Sequence, residues 1–327
     1  MWKDISKFIK KHENFVLTTH INPEGDAIGS EVALAAFLQQ LGKTATIVNS
    51  SPTPSNSLFL DLAGDIKVYP DGYDRQILDR ADAVVIVDVN NWVHLGPFGD
   101  EIRKKGKPRV CIDHHEGADE DFADIVVNDT TAAAAGIMIY ELIQYMKGEI
   151  TQSIADALYT TIITDTGSFR FSNTDRRVFL AAADLCTKGV DPFALHRKVF
   201  AKRWGAARLA GPALGTLESA AEGKIAWIHV TRSMFESAGA EYEDSDGLLD
   251  LVRAISGIEL CLFFKEVPTG KIKVSLRSNG RVDAHAIAAR HGGGGHRMAA
   301  GLSLDGPMDK AIKTLVSECV DKHLPNS

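Results

Sequence analysis

THINPEGDAIGS, residues 19–30, is the stretch around which this chain is organised. An apolar, β-branched run at residues 15–18 precedes it and predicts a strand, and an apolar run at residues 27–41 follows it and predicts a helix. Pro23 and Gly25 interrupt regular structure between these two elements, as expected for a turn. The turn carries one imidazole and two carboxylates, those of His20, Glu24 and Asp26. This set of donors suits a divalent cation such as manganese.

The composition is that of an ordinary folded protein. The chain has 327 residues, 45% of them hydrophobic and 24% charged, which is enough for about two domains at roughly 100–200 residues each. A formal net charge of −7 argues against a long basic track for nucleic acid, although a few local cations can still hold a short anionic ligand. The 4 cysteines are far apart, without a C-x-x-C pair, so we expect buried, reduced thiols. With no membrane-spanning apolar run and no signal peptide, we expect a cytoplasmic protein with no membrane partner.

The first half of the chain predicts an α/β fold with a doubly wound, mostly parallel sheet, because apolar strand-like runs alternate with helical segments. The predicted strands are at residues 15–19, 44–48, 83–87 and 109–112. We interpret residues 1–190 as this domain and residues 191–222 as a helical linker. Residues 223–327 predict a second, smaller α+β domain, in which strands at residues 259–264 and 271–277 pair with each other.

Acidic residues and histidines follow three of the predicted strands. His20 follows the first, Asp88 follows the third, and Asp113-His114-His115 follows the fourth. In open α/β sheets ligands bind at the carboxyl ends of the strands, so we expect these side chains at one edge of the sheet. Taken singly, each Asp has an alternative role as a helix cap and each His an alternative role as a structural residue.

Two helices predicted next add a further carboxylate to this set. One begins at Thr130 or Thr131 and runs through Met146, and the other covers residues 151–164 and ends at Asp165 in a TDTG turn. So many carboxylates aimed at one crevice would repel one another without cations. Two divalent cations would offset that charge, and such pairs usually promote phosphoryl chemistry.

The order of these motifs resembles the DHH phosphoesterase superfamily. The motifs that carry the resemblance are His20-x-x-Pro23-acid-Gly25-Asp26, then Asp88, then Asp113-His114-His115, then Asp165. In the second half, Arg277-Ser278 and the glycine-rich sequence HGGGGH at residues 291–296 resemble the DHH-associated C-terminal domain. The resemblance spans nearly the whole chain and is closest to the nanoRNase/pAp phosphatase group. It implies a DHH metal-binding catalytic domain, followed by a DHH-associated substrate-binding domain.

The resemblance also implies a role for each residue of the set. The implied ligands of one cation are His20, Glu24 and Asp88, and those of the second are Asp26, Asp88, His114 and Asp165. His115 is then the phosphate-facing residue, and Asp113 orients a ligand imidazole. The implied cofactors are two divalent cations, Mn²⁺ first, with Mg²⁺ or Co²⁺ as alternatives. Glu24 is a departure, because the family usually has Asp there, and we expect ligation with altered geometry or metal preference; the alternative is the loss of one metal.

The four consecutive glycines before His296 cannot form a helix interior. They let a ligand approach the backbone, whose N–H groups can cradle an anion; a flexible turn is the alternative. The resemblance implies nucleotide and phosphate contacts from Arg277, Ser278, Gly293, Gly294, Gly295 and His296. A substrate would then place its scissile phosphate on the metals and its distal nucleotide against this loop, which favours short substrates.

The predicted function is therefore a divalent-metal-dependent phosphoesterase. We expect it to hydrolyse short oligoribonucleotides and dinucleotides to mononucleotides, and to remove the 3′-phosphate from pAp. The resemblance implies a homodimer, and the acidic net charge without a basic track predicts no binding of long nucleic acid. One alternative is a pyrophosphatase-like member of the same superfamily, and another is a nucleotide-binding or sensing protein with weak or no catalysis because of Glu24.

Overall fold

The structure is a computed structural model that describes residues 1–61 and 63–323. The chain divides into two compact units between Ala201 and Lys202. No helix within the described residues combines the length and the apolarity needed to cross a membrane.

The first unit is built on a sheet in which all paired strands run parallel, in the order β3-β2-β1-β4-β5-β6. Its strands are β1 (Asn14–Thr18), β2 (Thr44–Asn49), β3 (Lys67–Val68), β4 (Ala83–Val87), β5 (Arg109–Asp113) and β6 (Ile125–Asn128). Its α-helices are α1 (Trp2–Lys11), α2 (Gly25–Gln40), α3 (Gln76–Arg80), α4 (Trp92–Lys105), α5 (Ala135–Tyr145), α6 (Gln152–Asp165), α7 (Arg176–Thr187) and α8 (Pro192–Phe200). A 3₁₀ turn covers Leu58–Leu60.

Helices cover both faces of this sheet, as the continuous apolar sequence of β4 predicts. All five residues of β4 are buried, and they alternate between two apolar clusters. Val85 packs in the cluster that includes α2, α5 and α6, whereas Val84 and Ile86 pack in the cluster that includes α3 and α4. The predicted doubly wound α/β fold is confirmed. The strand order reverses between β1 and β4, which is the switch point where such sheets bind ligands.

The second unit contains a mixed sheet in the order β11-β12-β10-β9-β8-β7, in which only β8 and β9 pair in parallel among the described strands. Its strands are β7 (Glu218–Ala220), β8 (Ile225–Val230), β9 (Leu260–Glu266), β10 (Ile272–Ser278), β11 (Gly294–His296) and β12 (Ala299–Leu304). Its α-helices are α9 (Trp204–Leu214), α10 (Arg232–Ala238), α11 (Leu248–Arg253), α12 (Ala284–Arg290) and α13 (Met308–His323), and a 3₁₀ turn covers Tyr242–Ser245. The predicted pairing of the two strands around residues 268–270 is present as the β9–β10 hairpin.

The predicted helical linker at residues 191–222 differs from the observed structure. These residues form α8 in the first unit, α9 in the second unit and then the short strand β7. The reason is packing: Leu195 and Val199 are buried in the core of the first unit, whereas Leu209 and Ala213 are buried in the second. Both helices therefore belong to a core, and the chain passes between the units at residues 201–203.

Candidate metal centre

The residues that follow β1, β4 and β5 lie at one edge of the sheet because these three strands are neighbours. His20, Asp88 and His114 occupy these positions. Asp88 adopts a left-handed backbone conformation, with φ of 60°, directly after β4. This conformation is uncommon for residues other than glycine, although Asp adopts it more readily than most, and such positions concentrate at functional sites.

Close packing of α2 on α6 brings two further carboxylates to this edge. Asp26 lies in the first turn of α2, and Asp165 is the last residue of α6. A Cβ atom at Gly29 would lie 2.6 Å from the carbonyl oxygen of Ala157. The two helices can therefore approach this closely only because glycine stands at the contact.

Asp26 also determines where α5 begins. Its side chain is fully buried, and its two oxygens accept hydrogen bonds from the backbone N–H groups of Ala135 (2.7 Å) and Gly136 (3.0 Å). The prediction that this helix starts at Thr130 or Thr131 is wrong, since α5 starts at Ala135, where Asp26 satisfies its free N–H groups. No local signal marks this start, because the capping residue lies 109 positions away along the chain.

The predicted ligands, together with His115, fall into groups whose donor atoms all lie within 4.8 Å of one another. The three groups are His20, Glu24 and Asp88; Asp26, His114 and Asp165; and Asp88, His114 and His115. Asp88 and His114 each belong to two groups, so the groups form one continuous cluster. The exposed Glu24 belongs to it despite the extra methylene that distinguishes it from Asp.

Hydrogen bonds fix the tautomers of both candidate ligand histidines. Nδ1 of His20 lies 2.9 Å from the carbonyl oxygen of Ile21, and Nδ1 of His114 lies 3.0 Å from that of Ala132. A carbonyl oxygen can only accept, so each Nδ1 carries a proton and Nε2 is the nitrogen available to a cation. Histidines that bind metals usually have such an outer hydrogen bond.

Both Nε2 atoms face carboxylates. Nε2 of His20 lies 3.4 Å from Oδ2 of Asp88. Nε2 of His114 lies 3.2 Å from Oδ1 of Asp88, 3.3 Å from Asp165 and 3.7 Å from Asp26. The two oxygens of Asp88 therefore face different histidines, which is the arrangement expected of a carboxylate shared by two cations.

The buried atoms of this cluster fit divalent cations. Asp88 is only 2% exposed, yet neither of its carboxylate oxygens has a hydrogen-bond partner of good geometry among the described residues, and the same holds for Nε2 of His114. Buried polar atoms nearly always have a partner. Carboxylate oxygens and imidazole nitrogens without partners are the donors that divalent cations bind, so this set of residues suits such ions.

The charges of the cluster shift its pKa values in opposite directions. Burial by itself raises the pKa of Asp88, but the adjacent His114 and His20 outweigh burial and hold this pKa well below its usual range. Burial lowers the pKa values of the two histidines, yet their carboxylate neighbours raise them further, to about 9 for His20 and about 11 for His114. Burial and the charge of Asp88 raise the pKa of Asp26 to about 7. Without cations, protonated imidazoles therefore balance part of the carboxylate charge.

Within the cluster, His115 is paired with Asp113. Nδ1 of His115 donates to Oδ1 of the fully buried Asp113 at 2.8 Å. The sequence predicts that Asp113 orients a ligand imidazole, but it orients His115. The candidate ligand His114 is held instead by the carbonyl of Ala132, which accepts from its Nδ1.

Two asparagines that the sequence analysis missed hold the backbone of His115. The side-chain amides of Asn90 and Asn128 both donate to its carbonyl oxygen, at 2.9 and 2.8 Å. Asn90 lies two residues after Asp88, and Asn128 ends β6, a strand that the sequence did not predict. No sequence pattern marks either asparagine, because the contact depends on which strands become neighbours.

The predicted substrate residues of the second unit lie on β10 and β11, except for Gly293, which immediately precedes β11. Gly293 and Gly295 have a packing role, because Cβ atoms there would lie 2.2 Å from the carbonyl of Gly301 and 2.5 Å from that of Ala299. A Cβ atom at Gly294, in contrast, would meet nothing within 4 Å. Strand packing thus explains why two of these positions are glycine, whereas the space beside Gly294 is open.

Arg277 and Ser278 already have intramolecular partners. The Arg277 guanidinium donates to the carbonyl of Leu276 at 3.0 Å. Ser278 is fully buried, and its hydroxyl oxygen accepts from the N–H of Gly280 at 3.0 Å. The structure thus gives Ser278 a role in the turn after β10. The exposed His296 and the half-buried Arg277 are more accessible to a ligand than Ser278 is.

A doubly wound parallel sheet that gathers carboxylates and imidazoles at its switch point defines an α/β protein with a divalent-metal centre. Comparison with family models agrees with this class: residues 14–162 match the DHH family, N-terminal domain, and residues 225–321 match the DHHA1 domain. The chain belongs to the DHH family.

Individual relatives support the same assignment. The chain is 35% identical over 308 residues to the bifunctional oligoribonuclease and PAP phosphatase NrnA of Thermus thermophilus, which covers 92% of this chain and 87% of the relative. It is 27% identical over 310 residues to the protein of the same name from Bacillus subtilis, covering 93% of each chain. The crystal structure of an exopolyphosphatase-related protein from Bacteroides fragilis superimposes with a TM-score of 0.94 at 26% identity, over 99% of this chain and 96% of that one.

Proposed function

We propose that this phosphoester hydrolase cleaves short oligoribonucleotides and dinucleotides to mononucleotides and removes the 3′-phosphate from pAp. The names of the Thermus thermophilus and Bacillus subtilis relatives, which span nearly the whole chain, support this substrate class. The observation that carries the proposal is Asp88, whose two buried oxygens face different histidines in two adjoining groups of donors.

The proposed cofactors are two divalent cations that share Asp88. One would be held by His20, Glu24 and Asp88, and the other by Asp26, His114, Asp165 and Asp88. When bound, such ions polarise phosphoryl oxygens and lower the pKa of water. Manganese is the proposed ion because the set mixes imidazole nitrogen with carboxylate oxygen, and reconstitution with Mn²⁺, Mg²⁺ or Co²⁺ in turn would identify the ion.

His115 is the proposed proton donor and phosphate contact. Burial alone lowers its pKa, but the hydrogen bond that its Nδ1 donates to Asp113 and the charge of Asp88 raise this pKa above the usual histidine value. The imidazole is therefore protonated in a larger fraction of molecules near neutral pH. With Nδ1 bound to Asp113, its other nitrogen can stabilise a phosphate oxygen or protonate the leaving sugar oxygen.

The glycine-rich loop of the second unit is the proposed contact for the rest of the substrate. Gly294 supports this proposal best, because nothing packs against the side where its Cβ atom would be. Arg277 on β10 supplies a guanidinium group and His296 on β11 supplies an imidazole, and both residues lie opposite Ala299 of β12, the strand between them. Backbone N–H groups and cationic side chains of this kind recognise phosphate.

The test is an activity panel with the purified full chain and Mn²⁺. It compares a dinucleotide, longer oligoribonucleotides, pAp and pyrophosphate, with a chelated sample as the blank. We expect hydrolysis of the dinucleotide and of pAp, with slower cleavage as oligonucleotides lengthen. Preferential hydrolysis of pyrophosphate would favour the pyrophosphatase alternative, and tight nucleotide binding without turnover would favour the sensing alternative.

The Glu24→Asp variant is the matched control for this panel, since it restores the residue usual in the family. Equal substrate preference in both proteins would indicate that Glu24 serves as a ligand as Asp does, in agreement with its place beside His20 and Asp88. Activity present only in Glu24→Asp would contradict the proposal that the natural chain is a hydrolase of these substrates.

A further inference from the structure

Glu31 is a buried carboxylic acid that is not among the candidate ligands. It lies on α2, five residues after Asp26, and is 0% exposed. One carboxyl oxygen, Oε2, accepts a hydrogen bond from the side-chain amide of Asn49 at 2.8 Å, whereas Oε1 has no partner among the described residues. His20 and Asp88 both act electrostatically on this carboxyl group, which places it close to the candidate metal centre.

Asn49 connects Glu31 to the strand end that carries His20. It is the last residue of β2 and is completely buried. Its Oδ1 accepts from the backbone N–H of Thr19 at 3.2 Å and has a longer contact, 3.5 Å, with the hydroxyl of Thr18. Because its Nδ2 donates to Glu31, the Asn49 amide is oriented with its oxygen toward this backbone.

A further hydrogen bond extends the chain of contacts to Asp88. The Thr19 hydroxyl donates to the carbonyl of Val87 at 2.9 Å. Thr19 immediately precedes His20, and Val87 immediately precedes Asp88. The hydrogen-bonded series Glu31–Asn49–Thr19–Val87 therefore joins the residues directly before both candidate ligands.

A buried carboxylic acid with an unpartnered oxygen lowers the free energy of unfolding relative to a well-packed apolar side chain, so stability alone does not account for Glu31. Burying a polar group without its full set of hydrogen bonds costs free energy, and apolar residues of similar volume are often neutral or stabilising in such places. Burial raises the pKa of Glu31 to about 8, so without cations the carboxyl group is mostly neutral near pH 7. What Glu31 supplies is a fixed acceptor for Asn49.

We propose that Glu31 is a positioning residue for the metal centre. Through Asn49 it holds the Thr18–Thr19 backbone, so that His20 presents Nε2 to the cation that it shares with Asp88. This inference rests on the proposed metal-dependent function. It assigns no contact between Glu31 and the cation, because its carboxyl group acts only through the amide of Asn49.

The test compares Glu31→Met with Glu31→Gln by counting bound Mn²⁺ with electron paramagnetic resonance of the free ion. Outer hydrogen-bond partners of metal ligands typically contribute about 10- to 100-fold in metal affinity. We expect Glu31→Met to lose affinity of that order for one of the two cations while its Tm is retained or raised. Glu31→Gln keeps an oxygen acceptor for Asn49, and we expect it to bind both cations nearly as the natural chain does.

Two further variants complete the design. Asn49→Ala breaks the same connection from the other side and is the second test if Glu31→Met does not fold; we expect the same loss of Mn²⁺ affinity. Tyr140→Phe removes a hydrogen bond to Asp184 in the same unit and is the matched control, for which we expect unchanged affinity. Full Mn²⁺ affinity in Glu31→Met or Asn49→Ala, or equal losses in Glu31→Met and Glu31→Gln, would overturn the inference.

Failure of the proposed function gives a different result. In that case the natural chain binds Mn²⁺ but does not hydrolyse the dinucleotide, and the affinities of the variants still decide the role of Glu31. A natural chain that binds no divalent cation would overturn both.

Discussion

At the scale of single residues, Asp88 is the point where the fold and the proposed chemistry meet. It is the first residue after β4, its backbone is left-handed, and its two oxygens face His20 and His114. A neutral amide at this position would keep the shape of the side chain. It would remove the negative charge that raises the pKa of both histidines and that would bind both proposed cations.

Replacing Asp88 with Asn should therefore abolish hydrolysis, with a loss of at least about 100-fold in kcat, because both cations lose a shared anionic ligand. Initial rates on a dinucleotide with saturating Mn²⁺ would measure this loss. Asp4→Asn, on an exposed position of α1, is the control with no expected effect. Near-normal turnover by Asp88→Asn would contradict the shared-ligand arrangement.

The same residues predict how metal affinity depends on pH. With pKa values of about 9 for His20 and about 11 for His114, both imidazoles are protonated at pH 7 before a cation binds, and Asp26, at about 7, is partly protonated. A cation must displace these protons, so its affinity should rise with pH between 6 and 8, by up to about tenfold per pH unit for each proton released. Mn²⁺ titration calorimetry in two buffers of different ionisation enthalpy would count the protons. A pH-independent affinity would count against these residues as the ligands.

At the scale of secondary-structure elements, the contact between α2 and α6 determines whether Asp26 and Asp165 can bind the same ion. Gly29→Ala places a methyl group 2.6 Å from the backbone oxygen of Ala157, which cannot move aside without shifting α6. We expect this change to lower the free energy of unfolding by about 1–3 kcal/mol, as overpacking usually does, and to weaken Mn²⁺ binding. Thermal melts and Mn²⁺ titration would measure both effects.

Gly211→Ala is the matched control for Gly29→Ala. It makes the same change in α9, where a Cβ atom meets nothing within 4 Å outside the adjoining residues; the following Pro212 disfavours alanine somewhat, so we expect a smaller loss of stability than in Gly29→Ala and unchanged Mn²⁺ affinity. Equal changes in the free energy of unfolding of the two variants would show that the close contact between α2 and α6 does not restrict residue 29 to glycine.

The elements also show how much of the structure is readable from sequence. The strands β1, β4 and β5 could be predicted because continuous apolar runs end at polar motifs, and these strand ends bring the candidate ligands together. The start of α5 could not, since a carboxylate from α2 caps it. Likewise β6 lies at a sheet edge and has only four residues; its three β-branched residues form a run too short to identify a strand without its pairing to β5.

At the scale of the whole molecule, the two units have separate cores, and all candidate ligands belong to the first. Divalent ions should therefore stabilise the first unit selectively, by about 2.7 kcal/mol for each site at a free concentration of 100 times its Kd. Differential scanning calorimetry with and without chelator should show one transition move and the other stay. Equal shifts of both transitions would indicate that the ions also bind the second unit or that the units unfold together.

Asp26 and Glu24 belong to different donor groups of the candidate centre and are held very differently. Asp26 is fully buried and tied to the backbone of α5, whereas Glu24 is exposed and makes no capping hydrogen bond at the start of α2. A cation held by Asp26 would have a carboxylate ligand that cannot move away, whereas a cation held by Glu24 would have a ligand exposed to solvent. The residence times of the two ions should therefore differ, one remaining through many turnovers and the other exchanging with the surrounding pool. The rate of the enzyme would then follow the supply of that second ion.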